Sequence, residues 1–183
     1  MSVDPHHYPH LFCDVFWEWG PIHASFEYLE AAPPEHLISN INVIPYVGDH
    51  WVIIRLTNGN WEMAGGTREP DEPYLETAQR ELLEEAGARL LSFQPLGAWN
   101  CRSEAAKPYR PHLPHPTFYR FVGYGEVELV EKPSNPADAE QVASVELVFV
   151  DEAARRFRSI GRDDLAELYL FAAAVREARG SSG

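Results

Sequence analysis

Cysteine is nearly missing from this chain. Its 183 residues hold two, Cys13 and Cys101, too few for a disulfide framework. Reduced, buried thiols in the cytoplasm are the plain expectation. Long apolar runs are missing as well. No stretch approaches the roughly 20 residues that a membrane-spanning helix needs. The opening MSVDPHHYPH has no basic segment followed by an apolar core, so no signal peptide is expected. Positive charge is scarce: 15 Lys and Arg against 28 Asp and Glu give a formal charge of −13. That balance argues against nucleic-acid backbones and anionic membrane surfaces as partners. A polyanionic small molecule would also be repelled unless metal ions neutralise the carboxylates around it.

What is present suits one folded unit. The hydrophobic fraction of 45% is ordinary for a soluble globular protein, and the length suits one domain with a proper core. Residues 1–10, with His6, His7 and His10 among prolines, read as a flexible tail. A single domain over 11–179 is expected, opening with a β-hairpin extension, and 180–183 read as a disordered end. The hairpin is formed by Cys13–Trp19 and Ile22–Tyr28 around Gly20-Pro21. Ile41–Val47, Trp51–Leu56 and Trp61–Ala64 read as strands, with a turn at Asn58-Gly59.

A helix is expected from Pro73 to Glu85, with Leu75, Ala78, Leu82 and Ala86 as its apolar stripe and Gly87 as its stop. Arg89–Phe93, Gly97–Cys101, Thr117–Leu129 and Val145–Val150 read as extended, and Arg102–Pro116 as a proline-rich loop. Asp151 is placed to cap a short helix to Phe157. Asp163 is placed to cap a final helix to Arg179 that turns Leu165, Leu168, Tyr169, Ala172 and Val175 inward. Strands mixed with helices give an α/β class.

The densest signal lies in the first of these helices. Glu81, Glu84 and Glu85 stand at i, i+3 and i+4, so a helix puts all three on one face. Like charges at that spacing repel. A hard divalent cation with oxygen ligands, Mg2+ or Mn2+, would relieve the repulsion; a solvated acidic face is the plainer alternative. Just upstream, Gly65-Gly66 lets the backbone turn sharply and approach a ligand closely.

This segment resembles the Nudix box of MutT-like hydrolases. Gly66, Glu72, Arg80, Glu81, Leu82, Glu84, Glu85 and Gly87 all fall on the pattern, while Ala88 is a weak match to its final aliphatic position. A chance match in a chain this long is on the order of one in a million. Ala64 stands where many members carry proline.

The resemblance implies a mixed β-sheet sandwiched between helices. It implies a metal-dependent enzyme that cleaves a diphosphate linkage in a nucleoside diphosphate derivative, with Mg2+ or Mn2+ as cofactor. The Gly65 carbonyl with Glu81, Glu84 and Glu85 would hold the metal, and Arg80 would orient box glutamates. Glu72 would meet the metal through water or hold the loop. Glu81 is one candidate general base. In other members the base lies on a loop near the last strands, where this chain has Asp138, Glu140 and Glu146, and Glu140 is preferred. The rival reading is a catalytically silent Nudix-fold protein that binds nucleotides or regulates. Such proteins usually lose box glutamates, and this chain keeps them.

Substrate choice is written less clearly. Arg102, Lys107, Arg110, His112, His115 and Arg120 gather in and beside one loop of an otherwise acidic chain. They suit terminal phosphates, or simply decorate a proline-stiffened surface. Zinc at His112 and His115 lacks a cysteine partner at suitable spacing. Trp17, Trp19, Trp99, Phe118 and Tyr119 can stack on a base or pack in the core. Gly66, Glu72, Arg102 and Arg110 are the candidate substrate contacts. The proline or tyrosine markers of ADP-ribose and dinucleoside-polyphosphate subfamilies are absent from Ser103–Ala106, although Pro108 and Tyr109 lie slightly further on; no substrate is assigned, and a nucleoside triphosphate or an oxidised nucleotide is the default.

Overall fold

The computed structural model describes residues 4–135 and 141–180. Its elements are β1 (Val15–Trp17), β2 (Ile22–Tyr28), β3 (Ile38–Val47), β4 (His50–Leu56), β5 (Trp61–Glu62), β6 (Ala64–Thr67), α1 (Tyr74–Glu81), β7 (Ala88–Leu90), β8 (Gln94–Ser103), β9 (Thr117–Leu129), β10 (Val142–Val148), α2 (Val150–Ser159) and α3 (Asp163–Gly180). The chain between α1 and β7, Leu82–Ala86, continues as a wider π-helical turn.

The sheet runs in the order β1-β2-β8-β9-β3-β4-β10. β3 and β9 are parallel, and the other neighbours along this order are antiparallel. Beside β3, β6 pairs with Asn40–Val43 while β4 pairs with Tyr46 and Val47. That fork sets Gly65 opposite Asn42 and Gly66 opposite Ile41.

Alternation along the strands feeds two cores. Val52 and Ile54 of β4, Phe121 of β9 and Ile41 of β3 pack with Ala78, Leu82 and Ala86 on the α1 face. Trp51, Ile53, Val122 and Tyr124 pack with Phe157, Leu165, Leu168 and Tyr169 on the α2–α3 face. Successive side chains of a strand point to opposite faces, so a continuously apolar strand such as β4 serves a sheet covered on both sides. The result is the expected mixed sheet between helices. No helix among the described residues is long and apolar enough to cross a membrane.

Several expectations shift. The segment expected to be a loose tail is anchored over residues 4–10. Asp4 caps a short turn at Pro5–His7, Tyr8 packs edge-on against Phe171, and buried Glu167 accepts from the His10 and Leu11 amides and the His10 ring. Leu75 is exposed rather than part of the apolar stripe; Thr77 and Glu81 are buried instead. Of the two thiols expected to be buried, Cys101 is, but Cys13 is exposed. α2 starts one residue before Asp151, with Phe149 at its N-cap and no side-chain cap. The last residues, 181–183, and the loop acids Asp138 and Glu140 lie outside the described residues.

Candidate active site

The box runs from β6 into α1, and Gly65 and Gly66 lie within the strand rather than in the sharp turn expected of them. Gly65 has φ +151°, a region closed to side chains, and a Cβ there would stand 2.4 Å from the Ile41 carbonyl oxygen. A Cβ on Gly66 would stand 2.2 Å from Glu81 Oε1. These glycines therefore leave room for carboxylates to come up against the backbone. Glu85 Oε2 accepts the Gly65 amide at 2.9 Å, and Glu81 fills the space over Gly66.

Arg80 ties the rest together. It donates to Glu72 Oε1 at 2.9 Å and Oε2 at 3.1 Å, to Glu81 Oε1 at 2.7 Å and to the Thr67 carbonyl at 3.2 Å. Glu84 lies 3.5 Å away. Glu72 also accepts the Glu69 amide and the Thr77 hydroxyl. Burial pushes the Glu72 carboxyl up, but the hydrogen bonds from Arg80, Glu69 and Thr77 outweigh it and bring it down to about 2. Glu81 goes the other way: burial raises its pKa against the pull of Arg80, and the neighbouring Glu84 and Glu72 charges add to the rise. One arginine thus stands between two carboxylates pushed in opposite directions.

A cavity of about 580 Å3 opens beside Gly65 of β6, lined by Asn42, Glu62, Gly65, Glu85, Arg120, Arg162 and Asp164, with Trp17, Trp19 and Trp99 at one side. Arg162 donates to both oxygens of Asp164 at 3.0 Å and to Glu62 at 3.2 Å. The side-chain oxygen of Asn42 is buried with no partner.

A model of the NUDIX domain matches residues 39–170. The chain belongs to the Nudix family. Two solved structures share its Nudix fold. A mutant of the Bacillus subtilis pyrophosphohydrolase BsRppH is 20% identical, with a TM-score of 0.62 over 90% of this chain and 97% of that one. A NUDIX hydrolase from Nitrosomonas europaea is 17% identical, with a TM-score of 0.52 over 75% of this chain and 89% of that one. At these identities the likeness is one of fold. None of the curated proteins matches the chain.

The Nudix box residues expected to hold a metal are gathered but not closed. Among the described residues, no three His, Cys, Asp or Glu side chains stand in a metal-holding group. The reason is visible in their partners: Glu81 and Glu84 lean to Arg80, while Glu85 sits on the Gly65 amide. The donor set nonetheless fits a hard divalent cation, since carboxylate oxygens border the strand backbone at Gly65 and Gly66. The partnerless Asn42 oxygen beside Gly65 is a further acceptor that a cation or a donor would satisfy.

The other candidates divide. Arg110 pairs with Glu69 at 3.0 Å, which ties the proline-rich loop to the segment after β6. Lys107 and His115 line a second cavity beside the first, and His112 meets the Arg68 carbonyl. Arg102 does not join the box; it lines a shallow depression with Asp14 just before β1, His23 of β2 and Asn100 of β8. Glu146 is held by Arg156 and Ser144. Sequence reading missed Asn42, Arg162 and Asp164. Asn42 carried a signal, a polar residue in the apolar run Ile41–Val47. Arg162 and Asp164, at the start of α3, carried none.

Proposed function

We propose that this protein is a metal-dependent pyrophosphohydrolase that cleaves the diphosphate of a nucleoside diphosphate derivative. The observation that carries the reading is the polar cavity over Gly65 and Glu85, which brings two arginines, Arg120 and Arg162, to the same cavity as the box carboxylate Glu85. Its volume of about 580 Å3 suits a small-molecule substrate, and the formal charge of −13 disfavours a nucleic-acid one. Gly65, Glu81, Glu84 and Glu85 are the residues that would hold Mg2+ or Mn2+. A bound divalent ion would supply charge neutralisation at the diphosphate and acidify a bound water.

The protein's own groups divide the remaining work. Arg80 holds Glu81 and Glu72 in place. Glu81, with its pKa raised by burial, suits the proton-accepting role; Glu140 is the loop alternative. Free thiols at Cys13 and Cys101 agree with a cytoplasmic setting. The test is a screen of nucleoside diphosphate derivatives, nucleoside triphosphates and oxidised nucleotides with Mg2+ or Mn2+, scored for phosphate, pyrophosphate or monophosphate release. Turnover that disappears with chelator and with Glu85→Gln is expected. Tight nucleotide binding without turnover on any substrate would establish the silent-binder reading instead.

A further inference from the structure

Arg120 is the odd cation of the cavity. It lies on β9, between Asn40 of β3 and Trp99 of β8. Its guanidinium rests against two indoles of the N-terminal hairpin, 5.3 Å from the Trp17 ring centre and 5.7 Å from that of Trp19. Those rings stack on each other at 5.8 Å. Where Arg80, Arg110, Arg156 and Arg162 are each joined to a carboxylate in a salt bridge, Arg120 rests on aromatic faces, with Glu62 attracting it electrostatically. Burial pushes the Arg120 pKa down and nearby Arg162 adds to that, against the opposing pull of Cys101 and Glu62. Contact with aromatic faces offsets only part of the cost of a desolvated cation. An incoming anion would offset the rest.

The second cavity gives this position its meaning. It holds about 480 Å3 and is lined by Tyr109, Leu113 and Phe118 with Ser39, Thr67 and His115. Trp19 and Arg120 line both cavities. One cavity therefore offers the box carboxylate Glu85 and the other a half-apolar chamber of small-ligand size, with Arg120 at their junction.

We propose that Arg120, held in place by Trp17 and Trp19, grips a phosphate of the substrate while the substrate's organic group occupies the second cavity. This rests on the pyrophosphohydrolase reading for the identity of the anion. The planar fork of donors on arginine suits two phosphate oxygens at once, which lysine does not reproduce. The hairpin is thereby a substrate-binding element.

The experiment is titration of the whole protein with inorganic pyrophosphate in chelator, followed by calorimetry and tryptophan fluorescence. Arg120→Gln should weaken binding about tenfold and Arg120→Lys less, the scale of one lost charge-assisted contact. Trp19→Ala should weaken it by about threefold; Trp19 is 68% exposed, so its loss spares the core. On any substrate turned over, both changes should raise KM with kcat retained. Weaker pyrophosphate binding in the variants, with no nucleotide hydrolysed by the parent, would uphold this inference and overturn the hydrolase reading. Hydrolysis with pyrophosphate affinity and KM unchanged in Arg120→Gln would overturn this inference alone. If Arg120→Gln fails to fold, unchanged affinity in Trp19→Ala overturns it.

Discussion

Arg80 spends its donors on two carboxylates and a carbonyl, so the box keeps its shape without help from solvent. Glu72 is the partner whose protonation undoes this. Its folded pKa of about 2 lies below the ordinary 4.5, so its stabilisation is complete above pH 4.5 and is lost as pH falls towards 2. Glu72→Gln should cost about 2 kcal/mol in urea unfolding at pH 6, and the gap from the parent should close below pH 4. A constant gap across that window would place the stabilisation elsewhere. Glu85 is placed differently, accepting the Gly65 amide of β6. Glu85→Gln keeps shape and removes charge, so turnover should drop by at least 100-fold, a loss on the scale of metal-ligand removal, with melting temperature little changed. Wild-type turnover in that variant would remove Glu85 from the metal's ligands.

The helix of the box shows what a sequence encodes and what it hides. Its start after Pro73 and its stop at Gly87 were legible, because proline and glycine act through their own backbone geometry. The π-helical turn at Leu82–Ala86 was not, because it changes hydrogen bonding rather than residue pattern. Leu75 misled for a related reason: periodicity reports which side chains could be buried, and Arg80 allows the charged Glu81 to take an inward place. Thr117–Leu129 was readable as a strand from its aromatic and β-branched content, but nothing in that run names its parallel neighbour β3. Arg120 was visible as a cation in an acidic chain, yet its contact with the hairpin indoles depends on β2 pairing with β8. Gly87 itself is held closely: φ is +59° and a Cβ would stand 2.0 Å from the Glu131 carbonyl oxygen. Gly87→Ala should therefore destabilise by about 3 kcal/mol, measured by chemical denaturation; a loss within experimental error would mean that the 130–132 backbone moves away freely.

Across the whole molecule, the N-terminal segment and α3 are joined through Glu167. That carboxylate and its hydrogen bond raise the His10 pKa, so this contribution is complete below pH 6.5 and is lost as pH rises through the raised value. Amide protection over residues 8–12, corrected for intrinsic exchange rates, should fall across that range, and His10→Phe should abolish the pH dependence; corrected protection that does not change with pH in the parent would refute it. The sheet has a different dependence, on order of manufacture. Its parallel centre joins β3 to β9, segments roughly 80 residues apart, and the chain between them must close a long loop before that pairing forms. The box helix is synthesised between the two. On a ribosome adding residues at roughly 5–20 per second, the carboxylates of the box leave the tunnel seconds before the strand that completes the sheet beneath them. During that interval the acidic helix covers only the strands made before it and lacks Phe121 of β9 beneath it, which makes the growing chain, rather than the finished protein, the form most exposed to chaperones.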